Sequence, residues 1–221
     1  MSHRCRVRNA LPGWDLDLKR LLVIFGPPAV GKMTVGREIQ RRTGLPLFHN
    51  HMAIEPALRF FEFGSEPFGK LVNTLRRALF QAVADSELPG LIFTYVWDLE
   101  AASDRRALAQ IAKLYEDVGA DIAFLELEAS LDERIARNKG ADRIAAKPSK
   151  RDLARSEARL RSLESMQLNS GGRIPLPYRH VVIDSNGLTA VEVADRAIAA
   201  LGLAHERTDS QNPQRAERSA E

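Results

Sequence analysis

Apolar residues come along this chain in short runs broken by turn residues, and they alternate with longer stretches in which they recur at helical spacing. Residues 21–25 form a continuous apolar run, the pattern of a strand buried on both faces. A Gly/Pro turn follows, and 34–43 reads as a helix closed by Gly44. Residues 45–48 predict a second, short strand. Leu71, Leu75, Leu79 and Val83 stand four apart, which marks 67–86 as a helix that Pro89-Gly90 then breaks. Residues 91–97 predict a third strand ending at Asp98, 102–118 a helix closed by Gly119, and 122–127 a fourth strand.

The pattern then changes. Residues 134–173 are rich in Arg, Lys and Glu, with a long polar helix over about 149–168 and a loop at Ser170-Gly171-Gly172. Residues 180–183 predict a fifth strand and 189–201 a last amphipathic helix. From about 204 to 221 apolar residues almost vanish, the composition of a disordered tail. Apolar strands alternating with helices argue for a parallel α/β sheet in one domain over 20–203. The C-terminal strand ends of such a sheet carry its site.

Length and charge add limits. A chain of 221 residues suits one well-buried domain. No apolar run approaches the roughly 18 residues a membrane-spanning helix needs, so no membrane partner is expected. The single cysteine, Cys5, excludes an internal disulfide and fits a reducing compartment, with the cytoplasm as the expected location. The net charge of +3 resides in the first twenty residues, where Arg4, Arg6, Arg8, Lys19 and Arg20 face only Asp15 and Asp17. Residues 1–19 read as a flexible basic leader rather than a nucleic-acid surface.

The chemistry starts at Gly26-Pro27-Pro28-Ala29-Val30-Gly31-Lys32-Met33-Thr34, which has the G-x-x-x-x-G-K spacing between a buried strand and a helix. Glycines let backbone N–H groups turn toward phosphate oxygens, and the helix start presents its positive dipole end to the same anion. Lys32 would neutralise the β- and γ-phosphates of ATP, and Thr34 would offer a hydroxyl to Mg²⁺. The hydroxyl residue usually found directly after the lysine is replaced by Met33, with Thr34 one position later.

That offset, the strand rhythm and the basic segment resemble the shikimate kinase and nucleoside-monophosphate kinase group of P-loop proteins over about residues 21–201. Uncharacterised bacterial proteins labelled AAA-family ATPase or shikimate kinase-like carry a similar phosphate loop and a similar Phe48-His49-Asn50-His51. The resemblance implies a P-loop NTPase fold with a five-stranded parallel sheet of order 2-3-1-4-5, flanking helices and a basic helical lid over about 134–173. It also implies a monomer that transfers phosphoryl from ATP to a small-molecule acceptor. Two signatures depart from shikimate kinase. His49 and His51 stand in place of its Asp-x-Asp, and Tyr95-Val96-Trp97-Asp98 replaces its triple glycine, so shikimate is not the expected acceptor.

Each further candidate has a plainer alternative. His49 and His51 close the second strand, where acceptors dock in similar kinases; strand alternation would aim both to one side with Asn50 opposite. They could hydrogen-bond the acceptor or take its proton, or simply satisfy loop carbonyls. Asp98 stands where P-loop enzymes place a Mg²⁺-orienting or base aspartate, or it caps the next helix. By the resemblance Arg137 (or Arg134) faces adenine and Arg143 is the lid arginine, against the alternative of a solvated charged helix. Asn186 belongs to a loop that similar enzymes lay against adenine, which is equally a turn into the last helix. Two other functions compete with the kinase: an ATP-hydrolysing switch acting on a protein partner, and an RNA- or nucleotide-handling protein using the basic leader and lid.

Overall fold

The computed structural model describes residues 18–140 and 152–203. Its elements in chain order are β1 (Arg20–Phe25), α1 (Lys32–Thr43), β2 (Leu47–His49), α2 (His51–Ala57) and α3 (Glu66–Ala84). Then come β3 (Gly90–Thr94), α4 (Ala102–Glu116), β4 (Asp121–Glu128) and α5 (Leu131–Asn138). α6 (Leu153–Ser162) runs into a 3-10 turn over Leu163–Ser165, and β5 (Arg179–Asp184) and α7 (Ala190–Leu201) complete the fold. The sheet has the order β2-β3-β1-β4-β5 and every pairing is parallel.

β1 is apolar without alternation because both of its faces are covered. Leu21, Val23 and Phe25 point into the layer of α3 and α4, among Phe80, Phe93, Tyr115 and Phe124. Leu22 and Ile24 point the other way, with Val35 and Ile39 of α1 and Val193 and Ala197 of α7. Successive side chains of a strand face opposite sides, so one run of sequence feeds two cores. Among the described residues no helix is long and apolar enough to cross a membrane.

Several boundaries differ from those the pattern predicts. β3 ends at Thr94 rather than at residue 97, because its neighbour β2 is only three residues long and its last pair is His49 with Thr94. Trp97 leaves the sheet and turns under it, edge-on to Phe25 at 5.2 Å. α2 and α5 were not legible as helices: α2 carries Pro56 and no side-chain cap, and α5 is eight residues long, capped by Ser130. The polar helix expected over 149–168 ends at Ser162; the residues before 152 lie outside those described. The leader over 1–17 and the tail from 204 lie outside them as well.

Candidate active site

The loop between β1 and α1 is shaped by three positive backbone φ angles, at Gly26 (127°), Ala29 (65°) and Gly31 (112°). Gly26 is confined on two counts, since any Cβ there would stand 2.2 Å from the carbonyl oxygen of Leu127 on β4. α1 begins at Lys32 with no side-chain cap and no acidic residue in its first turn, so its first amides are left facing the loop's concavity. The Lys32 ammonium donates to the carbonyls of Gly26 (2.6 Å) and Pro27 (2.7 Å), curled back over the loop. In the first turn of α1 Met33 is buried and Thr34 exposed, and both line the cavity.

Arg137, from α5, laces this loop to the turn after β5. Its guanidinium donates to the Val30 carbonyl (2.9 Å), the Ser185 hydroxyl (3.0 Å) and the Ser185 carbonyl (2.7 Å), and pairs with Glu133 at 2.9 Å. It forms part of the cavity wall. Arg134 is only 3% exposed and is spent on the Ala129 carbonyl and Glu164, off that wall. Asn186 is exposed: its side-chain oxygen accepts from the Ser130 amide (2.9 Å) and its NH₂ donates to Asp184 (2.7 Å), so it joins two turns outside the cavity. Arg143 lies outside the described residues.

The cavity has a volume of about 700 Å³ and runs from the loop toward the junction of β2 and α2. Gly31, Lys32 and Thr34 line one end, and Asn50, His51, Thr94 and Tyr95 the other; Gly26 and Pro27 stand behind the wall. Alternation does not carry through Asn50, because β2 stops at His49 and Asn50 is already in the helical region (φ −49°, ψ −34°). Asn50 and His51 therefore line the cavity while His49 does not. The Nδ1 of His51 meets Glu55 Oε1 at 2.9 Å, one helical turn on.

Behind this end lies a polar chain. Arg76 of α3 donates to the Asn50 side-chain oxygen and stacks over the Tyr95 ring at 5.6 Å. The Tyr95 hydroxyl donates to Asp104 (3.0 Å). Burial, reinforced by the Asp104 charge, pushes that phenol up to about 12, and burial also lowers the Arg76 guanidinium. Asp98 belongs to the same network but not to the cavity wall: its amide donates to Asp104 (3.0 Å) and its carboxylate accepts from the Glu100 amide (3.2 Å). Nor does it cap α4, whose N-cap is Ala101.

The chain returning from α6 to β5 is pinned on the α4 side of the sheet. Glu126 of β4 is fully buried and accepts from the Ser170 amide (2.7 Å) and the Ser170 hydroxyl. It also meets His180 Nε2 at 3.0 Å. Burial would raise the Glu126 carboxyl, but the hydrogen bonds from His180 and Ser170 outweigh it and hold the group below its ordinary range.

Glu55 and Arg159, like Phe63 and Arg76, were not singled out by their sequence. Glu55 becomes visible only once His51 is known to start a helix. Arg159 reads as part of a solvated face, yet it lines the cavity with its guanidinium 4.3 Å from the Phe63 ring. Among the described residues no cluster of three or more His, Cys, Asp or Glu side chains could hold a metal ion.

No family model and no curated protein matches the sequence. Solved structures do match the fold. A Chloroflexus aurantiacus protein assigned as a kinase superposes with a TM-score of 0.57 at 17% identity, over 82% of this chain and 97% of its own. A sugar kinase from Janibacter sp. HTCC2649 gives 0.52 at 17% identity, over 84% and 95%. A gluconokinase from Sinorhizobium meliloti 1021 gives 0.50 at 15% identity, over 85% and 93%. With the sheet order, these likenesses establish that the chain has the fold of the P-loop kinases.

Proposed function

We propose that this protein transfers the terminal phosphoryl group of MgATP to a hydroxyl of a small molecule. The observation that carries the reading is one cavity with a phosphate loop at one end and a carboxylate-paired histidine at the other. ATP fits the first end: the concavity is built of turned-in amides beside Lys32, in a loop whose positive φ angles at Gly26 and Gly31 suit glycine. Mg²⁺ would be held by the Thr34 hydroxyl together with the phosphates and water, the usual habit of that ion. It would hold the phosphates and offset their charge.

Lys32 leaves the Gly26 and Pro27 carbonyls for the phosphates, where a compact cation stabilises charge on the oxygens in flight. The guanidinium of Arg137, bonded to Val30, Ser185 and Glu133, keeps the loop in shape. Glu55 accepts the Nδ1 proton of His51, which fixes the tautomer with the lone pair on Nε2. That nitrogen takes the acceptor's proton as the new O–P bond forms and the bond to the bridging oxygen of ADP breaks. Arg143, outside the described residues, remains the proposed lid arginine.

The test is a screen with γ-labelled ATP, Mg²⁺ and pooled hydroxyl compounds, run beside Lys32→Ala. A labelled product that requires Lys32 is the expected result. Tight MgATP binding with hydrolysis alone would overturn the kinase in favour of a nucleotide switch.

A further inference from the structure

The acceptor end of the cavity has a chemical character of its own. Its walls are Ile54, Phe63, Val96 just past the sheet, Leu160 of α6, and Leu163 and Met166 on the chain that follows it. The polar groups beside them are mostly committed to the protein. The Tyr95 hydroxyl is given to Asp104, the Asn50 side-chain oxygen accepts from Arg76, and the Asn50 backbone amide donates to the Thr94 hydroxyl. His51 is placed for the reacting hydroxyl. Arg159 lies on the face of Phe63, the arrangement of a cation against a ring quadrupole. No carboxylate occurs among the described residues that line the cavity.

We infer that the acceptor is an alcohol or phenol borne on an aromatic or otherwise apolar body, rather than a hydroxyl-rich polyol or an amine. The inference rests on the kinase reading of this cavity and adds its substrate class. A polyol brought here would give up several hydrogen bonds to water and recover few, because the Tyr95 hydroxyl and the Asn50 oxygen are already paired and most of the remaining wall is apolar. An amine would meet Lys32 and Arg159 with no anion on the described wall to balance it. An apolar ring instead buries its surface against Ile54, Leu160, Leu163 and Met166, beside the Phe63–Arg159 pair.

The experiment uses the full chain loaded with Mg²⁺ and a non-hydrolysable ATP analogue, with binding of four probes followed by ligand-observed NMR. The probes are 2-phenylethanol, 4-hydroxyphenylethanol, xylitol and D-gluconate. The phenyl alcohols are expected to bind at least tenfold tighter than xylitol or gluconate. Phe63→Ser, at a residue 54% exposed and so tolerant of change, should remove most of that preference and leave analogue binding intact. Equal or tighter binding of xylitol or gluconate, or no saturable binding of any probe, overturns the assignment while the analogue-bound protein leaves the kinase reading standing. Failure to bind the analogue overturns both.

Discussion

The two ends of the cavity are built from different materials. The phosphate end is backbone: amides of the first α1 turn, residues at positive φ, and carbonyls that Lys32 and Arg137 hold in place. The acceptor end is side chains, gathered from the β2–α2 junction, the end of β3, Phe63 and α6. A backbone cradle works only in one shape, so it demands glycine and lysine at fixed intervals. A wall of side chains can be changed residue by residue while the fold stays the same. One architecture therefore accepts one donor and many acceptors.

The largest effect should come from breaking the phosphate end alone. Lys32→Ala is expected to lower turnover about a thousandfold, the magnitude typical of removing a charge-stabilising group at the reacting centre. Affinity for the acceptor should stay within about threefold if the ends are as separate as their construction implies. Turnover by steady-state assay and acceptor binding by titration decide it. A parallel loss of acceptor binding would mean that Lys32 serves both ends.

Next in size is a change that should strike both ends together. Met166 on the returning chain lines the cavity, and four residues on Ser170 is anchored to Glu126. Glu126→Ala leaves His180 and Ser170 facing an emptied buried site and should cost roughly 3–5 kcal/mol of stability. The pH response has a definite sign. The folded-state carboxyl of Glu126 lies below its ordinary range, so the folded protein binds fewer protons than the unfolded chain. Its stabilisation is fully present above the unfolded value of about 4.3 and fades as pH falls through the lower folded value. Thermal melts from pH 6 downward should show this acid loss in the wild type and less of it in Glu126→Gln. A Glu126→Gln melt as acid-sensitive as the wild type would remove the cluster from this role.

This contrast also explains what the sequence disclosed. The succession of strands and helices and the phosphate loop were legible because an apolar run like 21–25 and a motif like Gly26 to Thr34 are local statements about backbone, whereas the sheet order followed only from the resemblance those residues carry. The acceptor end was only half legible. His51 could be named, but its partner Glu55 depends on a helix of seven residues containing Pro56, which no periodicity reveals. Asp98 looked like a strand-end carboxylate because the apolar run continues to Trp97. The sheet in fact stops at Thr94, where β2 runs out of residues to pair, and Asp98 ends in a turn. Arg159 was hidden because nothing in a polar helix tells which arginine will lie across Phe63.

At the acceptor end the first variant to make is His51→Gln. Turnover should fall about a hundredfold, the lower range for a lost general base, with the KM for ATP unchanged. The wild-type rate should rise with pH along a limb that His51→Gln lacks. Glu55→Gln should lose about tenfold and distort that limb, because the amide no longer fixes which nitrogen carries the proton. A His51→Gln enzyme that keeps the wild-type pH profile would assign the proton to another group.

The smallest effect draws the boundary between the two ends. Arg159 stands on α6, above the cavity, and touches Phe63. An exposed cation over a ring contributes about 0.5–1 kcal/mol, so Arg159→Ala should weaken acceptor binding roughly two- to fivefold. The KM for ATP should not move, since Arg137 and not Arg159 is tied to the phosphate loop. If ATP affinity drops and acceptor affinity holds, α6 roofs the nucleotide, and the dividing line must be redrawn between Phe63 and Leu160. If both hold, the contact only closes the mouth and acceptor selection falls to Ile54 and Phe63 beneath it.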